Sequence, residues 1–260
     1  MISAMIIKEG IIFLRYPTRI LSAVVFPLFL TLIFAFTQEL FSEGESISSS
    51  NLFVGMSIFL IISIASEAPT RIVEEQQQGT LEAIFLTPAV RYSTVLGVLF
   101  VRFLFMIATV LLYYVVILFS FGKSNIIHPF IALFYIILVV LQAFGYGIFM
   151  SGVTITAKET GLRASVFVPY IVIIFSGVFV SISVLPTPWI WISLLIPLSY
   201  TVDSIYSAVG DAVYGSSTLI PAFYEFLISI LFTSFLILFG IKYYISKVNA
   251  ASKNGSLLEY

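Results

Sequence analysis

The sequence predicts an all-α membrane protein with six transmembrane helices, and three observations predict it. Of 260 residues, 60% are hydrophobic and only 10% charged, whereas a soluble domain carries about 25% charged residues. Mean hydropathy is +1.12, so too few polar groups remain to coat a globule, and the solvent is a bilayer. Apolar runs recur at roughly 20–37, 52–68, 99–121, 130–154, 164–185 and 221–244, each near the ~17–25 residues that cross hydrocarbon as a helix. Residues 1–260 read as a single transmembrane domain.

Composition also excludes. A net charge of −1 offers no basic footprint for a nucleic-acid partner. The absence of cysteine removes disulfides, thiolate metal sites and thiol nucleophiles.

The elements follow in chain order. Residues 2–16, "ISAMIIKEGIIFLRY", place Lys8 and Arg15, with Arg19 beyond, near one face at helical spacing. This predicts an interfacial helix, bent at Pro17 before the first span; an N-terminal extension of that span fits the same residues. No small-residue cleavage site precedes the span, so it serves as its own targeting signal.

After the second span comes the polar stretch "EEQQQGTLEAIFLTPAVR", Glu74 to Arg91. Gly79 tolerates the left-handed conformation that ends a helix. Thr80 can cap a new one, with Glu82 in its first turn placed well against the dipole. Thr87-Pro88 ends it, because the residue before proline is pushed out of helical geometry. The product is a short stub presenting Leu81, Ile84 and Phe85 around Glu82. Such a stub suits a pocket in another protein; an amphipathic loop on the lipid surface satisfies the same pattern.

Arg102 lies inside the third helix, where snorkelling to the interface accounts for it. Gly122-Lys123-Ser124 lacks the earlier glycine of a phosphate-binding loop, since Ile117 stands there. His128, the single histidine, has no neighbouring carboxylate and makes no metal site. Gln142, Gly145, Gly147, Ser151 and Gly152 mark the fourth span. The small residues permit close helix approach, and Gln142 is the mid-span candidate for a translocation path. Trp189–Tyr200 is apolar but too short to span, and prolines fence it. A broken, re-entrant hairpin between spans five and six is expected there.

Orientation follows from the cations. One set of flanks carries Lys8, Arg15, Arg19, Arg71, Arg91, Lys158, Arg163, Lys242, Lys247 and Lys253. The other carries only Lys123, with Glu39, Glu43, Glu45, Asp203 and Asp211. The positive-inside bias places both termini and the Glu74–Arg91 loop in the cytoplasm. Glu67, Arg71 and Glu75 stand at i,i+4 spacing, suited to a helix emerging into water. Glu225 stands near the outer end of the last helix, where an acid costs less.

Two stretches carry a family resemblance. "EQQQGTLEAIFLTP", Glu75 to Pro88, resembles the cytoplasmic signature of type-2 ATP-binding-cassette (ABC) exporter permeases. That signature reads Glu-x-Glu-x-Gly-Thr-Leu-Glu, then a Leu-rich turn and Thr-Pro. Glu75, Gly79, Thr80, Leu81, Glu82, Thr87 and Pro88 match; Gln77 replaces the second acid. The usual downstream Gly-Lys is Gly97-Val98 here, with Arg102 as the substitute charge. "FSGVFVSISVLPTPWIWISLLIPLSYTVDSIY", Phe175 to Tyr206, is similar to the family's segment from span five through an external hairpin. Ser176–Phe179, Leu185–Trp189, Pro197–Tyr200 and Asp203 match, while Ile196 and Tyr206 replace the usual Asn and basic residue.

The resemblance implies a membrane-spanning permease subunit of an ATP-driven exporter, itself no enzyme. Glu75, Gly79, Thr80, Leu81, Glu82, Ile84, Phe85, Thr87 and Pro88 would form a coupling helix docked on a separate cytosolic ABC ATPase, two copies per assembly. Leu81, Ile84 and Phe85 would anchor, and Glu75 and Glu82 would orient the dock through donors on the partner. ATP and Mg would sit on that partner, with no cofactor and no metal in this chain. A second permease subunit, identical or paralogous, would complete the path among membrane lipids in a prokaryotic cell membrane. Pro186, Trp189, Pro197, Tyr200 and Asp203 would form an external gate. The alternative is a secondary transporter or channel not driven by ATP, which would need membrane-buried ion-handling groups.

Overall fold

The computed structural model describes residues 2–15, 25, 29, 33, 49–80, 95–104, 107, 129–179, 182, 186–209 and 222–254. Helix α1 (Ile2–Arg15) comes first. Helix α2 (Ser49–Ser63) passes through a tight 3₁₀ turn, Ile64–Ser66, into α3 (Glu67–Gln77). Helix α4 covers Val95–Leu104. Helix α5 (Pro129–Phe175) breaks at Lys158, and α6 (Thr187–Leu195), α7 (Pro197–Val209) and α8 (Ala222–Asn254) follow. The first expected span falls outside the described residues apart from Val25, Phe29 and Ile33, which are helical. Most of the third falls outside likewise.

Among the described residues, three stretches are long and apolar enough to cross a membrane: Val54–Gln77, Leu133–Phe175 and Phe223–Lys253. Helix α8 is about 50 Å long by its rise per residue, well over the ~30 Å hydrocarbon thickness. It exposes Phe223, Leu231, Phe235 and Leu238, a greasy outer face fit for lipid.

Local chemistry sets the breaks. Between α2 and α3, Ser63 donates to Leu60 O, Ser66 to Ser63 O and Thr70 to Ser66 O, each at 2.7 Å. These side chains compete for helix carbonyls and tighten the turn. Pro69 falls in the first turn of α3, where a missing N–H costs nothing. In α5, Lys158 takes φ 49° and ψ −124°, a conformation for which a side chain is strained. There the chain turns from one arm of α5 into the other, and Gly161 fits against Thr154 because a Cβ would meet its Cα at 2.8 Å. The second arm ends at Phe175, short of the Leu185 boundary read from hydropathy. Gly177 at φ 78° makes the turn.

Two apolar clusters form the core. One joins α2, α5 and α7 through Ile58, Ile61, Val139, Ala143, Val202 and Ile205. The other joins α3, α4, α5 and α8 through Ile72, Leu99, Ile148, Ile155, Tyr244 and Val248. The small residues of the fourth span serve this packing: a Cβ on Gly147 would meet Ala65 O at 3.0 Å, and one on Gly152 would meet Tyr243 Cδ1 at 2.8 Å. Close backbone approach is how apolar helices gain contact where lipid competes.

Candidate functional site: a charged strut and a polar ladder

Helix α3 carries the start of the candidate coupling segment. It closes where Gln78 N donates to Glu74 O at 3.0 Å and Gly79 N to Gln76 O at 3.0 Å, with Gly79 at φ 69°. That is the expected helix stop. Leu81, Glu82, Ile84, Phe85, Thr87 and Pro88 lie outside the described residues.

Glu75 is only 3% exposed. Lys8 Nζ of α1 donates to its Oε1 at 2.7 Å, Arg71 Nη2 stands 3.5 Å from the same oxygen, and the Thr80 hydroxyl donates to Oε2. Burial raises the Glu75 pKa, but the Lys8, Thr80 and Arg71 contacts together outweigh it and hold the carboxyl below its ordinary value. Arg71 also pairs with Glu74 and with Glu9 of α1, whose Oε2 lies 3.3 Å from its Nε. Nε lacks hydrogen-bond alignment there, but Nη2 of the same guanidinium donates to Glu9 Oε1 at 3.3 Å. Two cations thus face Glu9, Glu74 and Glu75, and the strut ties α1 to α3. Arg71 meets Glu75 and not Glu67, which pairs with Arg102 Nη2 at 3.2 Å.

The expected gate residues cluster around α6 and α7. Pro186 begins α6, Trp189 stacks on Phe175 at 5.4 Å, and Pro197 begins α7 after Ile196 takes an extended conformation. Ser199 Oγ donates to Ser193 O at 2.7 Å, and Tyr200 Oη to Leu194 O at 2.8 Å, clamping the two short helices. Asp203 is half-buried on α7. Tyr206 Oη donates to Val178 O at 2.6 Å, beside Gly55, where a Cβ would sit 2.9 Å from that same carbonyl.

Gln142 opens a polar ladder that the sequence reading did not find. Its Nε2 donates to Thr201 Oγ1 at 2.9 Å and Thr233 Oγ1 at 3.2 Å. Thr201 donates on to Ser229 Oγ at 3.1 Å, and Thr233 to Ser229 O at 2.6 Å. Farther along, Ser204 Oγ donates to Glu225 Oε2 at 2.9 Å. Glu225 is fully buried rather than set at a solvated helix end. Glu225, Ser229 and Thr233 stand at i, i+4 and i+8, a polar stripe that could have been read from α8. Among the described residues, no group of three or more His, Asp or Glu could hold a metal ion.

The family model of the ABC-2 type transporter matches residues 2–209. The chain belongs to the ABC-2 type transporter family. A comparison with curated proteins returns no match. Membership makes it a multi-pass membrane protein and a transport subunit. The matched residues of this ABC-2 chain include α1 and α3, so the strut lies inside the family domain. Its departures from the family signature have structural accounts. Gln77 is exposed, so no internal pair depends on an acid there. Val98 is buried in the α3–α4–α5–α8 core, where a lysine would be desolvated, while Arg102 brings its charge to Glu67.

Proposed function

We propose that this chain is the permease subunit of an ATP-driven ABC-2 exporter. Its path would be driven by a cytosolic ATPase docked on the segment after Gly79. The observation that carries the reading is the family match over residues 2–209, which spans both signature stretches. Six spans, cytoplasmic termini and a cytoplasmic Glu74–Arg91 loop follow from the distribution of lysine and arginine. Leu81, Ile84 and Phe85 are the apolar anchors, and Glu82 orients the dock. Glu75 acts from within: its carboxylate is bound to Lys8, Arg71 and Thr80, so it stiffens the base of the coupling segment. ATP and Mg bind the partner, and nucleotide supplies the free energy there. Force on the segment passes into α3 and, through the strut, into α1. A second permease subunit completes the path, and the clamped α6–α7 hairpin with Pro186, Trp189, Pro197, Tyr200 and Asp203 gates its outer end.

The absence of cysteine makes the test clean. A single cysteine in place of Phe85, carrying a photocrosslinker, is expected to capture an ABC ATPase in native membranes. Adding Glu82→Arg should abolish both capture and nucleotide-dependent transport while leaving the chain in the membrane. Capture of no ATPase, or transport untouched by Glu82→Arg, would overturn the coupling assignment.

A further inference from the structure

A cavity of about 210 Å³ lies beside the polar ladder. Ile62 and Ala65 wall it from α2 and its 3₁₀ turn, Pro169 and Val172 from the second arm of α5, and Leu236 from α8. Its mouth is at Leu195, which lines the cavity yet is 81% exposed at the end of α6. Among the described residues, no Asp, Glu, Lys, Arg or His lines it, so a charged ligand would lose its hydration without compensation.

Two polar residues interrupt the apolar wall, Gln142 and Tyr146, one turn apart on α5. Gln142 Oε1 and Tyr146 Oη are both buried and have no hydrogen-bond partner among the described residues. The ladder fixes which way the amide points. Thr201 and Thr233 each have one hydroxyl proton; that of Thr233 goes to Ser229 O, and that of Thr201 to Ser229 Oγ or to Pro197 O. Each threonine oxygen can then only accept from Gln142, so the amide nitrogen faces the threonines. Oε1 is left as a bare acceptor. The phenol beside it can donate and accept.

We infer that this cavity, within one subunit, binds a neutral ring-sized molecule carrying one hydroxyl. The hydroxyl donates to Gln142 Oε1 and accepts from Tyr146 Oη, while the ring fills the apolar wall. A cavity of about 150 Å³ holds benzene, so the larger volume here suits a phenol with a short alkyl substituent. The ligand enters from the lipid past Leu195. A buried polar group left unpaired carries its full desolvation penalty, and that penalty selects the hydroxylated ligand over its hydrocarbon twin.

The probe is 4-ethylphenol, with ethylbenzene as the twin, on the full chain in nanodiscs without nucleotide or ATPase. The result is therefore independent of the docking assigned above. Saturation-transfer NMR, corrected with empty nanodiscs, should show at least ten-fold tighter binding of 4-ethylphenol at equal lipid concentration. Tyr146→Phe should cut that preference several-fold while ethylbenzene binding persists, which shows that the pocket remains folded. Ala143→Leu, which narrows the wall, should weaken both ligands. A photoreactive phenol should label the peptides containing Ala143 and Val172 above the lipid-facing Phe167 and Leu238. Equal binding of the two ligands overturns the inference. So do labelling no higher than on the lipid-facing residues, and exclusion of both ligands because water alone fills the site.

Discussion

Arg71→Met removes the guanidinium that joins α1 to α3 while keeping the length of an apolar stem. Arg71 is buried and lies within 3.5 Å of carboxylates on both helices. At 3.3 Å and an effective dielectric of 20, one such pair has a gross Coulomb energy of about 5 kcal/mol. The net loss on removing one partner of a buried pair is about 3–5 kcal/mol, because the remaining charges stay buried and unpaired. Glu9 and Glu74 would then lose their contact with Arg71, while Glu75 would keep Lys8 and Thr80. The equilibrium for lifting α1 from α3 should therefore rise by roughly 2×10²- to 5×10³-fold. Spin labels on cysteines replacing Ile11 and Gln78, both exposed, report the α1–α3 distance. The parent should give one narrow distance, and Arg71→Met a broad, longer population. Glu9→Gln should be less than additive with Arg71→Met, with a coupling of at least about 1 kcal/mol. The same distance should respond to acid. A depressed carboxyl pKa gives stability that is complete above the unfolded value of about 4.3 and lost as pH falls through the folded one. The helices should therefore stay docked at pH 7 and begin to separate only once pH falls below the ordinary carboxylate value of about 4.3. A narrow distance retained in Arg71→Met, or strict additivity with Glu9→Gln, would refute the strut.

Two further substitutions test the packing. Lys158→Gly relieves a residue at φ 49° and should stabilise the chain by about 1 kcal/mol, read as a melting temperature a few degrees higher in detergent. Gly240→Ala places a Cβ 2.8 Å from Gly145 O where α8 crosses α5. It should cost about 1–3 kcal/mol, seen as a lower melting temperature.

What could be read without coordinates divides along physical lines. Hydropathy located the long helices because a bilayer demands uninterrupted apolar length with internally satisfied backbone. The Gly79 stop was legible because only local geometry decides it. Pairings across the fold were not. Nothing local tells Lys8 that its carboxylate is Glu75, or Arg71 that its partners include Glu9, since each contact depends on how α1 lies against α3. The i,i+4 rule found Arg71 with Glu75 but assigned Glu67 to the same cation, where Arg102 takes it instead. The stop of α5 at Phe175 was hidden because the apolar run continues through a turn made by Gly177.

The strut changes what the family signature means at its two acids. An acid read from sequence on a docking segment suggests a contact for the partner, and both signature positions invite that reading. Burial separates them. Glu75 is enclosed by Lys8, Arg71 and Thr80, so replacing it would take the carboxylate from Lys8 and loosen α1 from α3. Position 77 is exposed, so an amide there leaves every internal pair intact. The first signature acid is therefore a structural member of the permease, and the second position is free to vary with the surface it meets. Substitution at position 75 should therefore loosen α1 from α3, whereas substitution at position 77 should leave that packing intact.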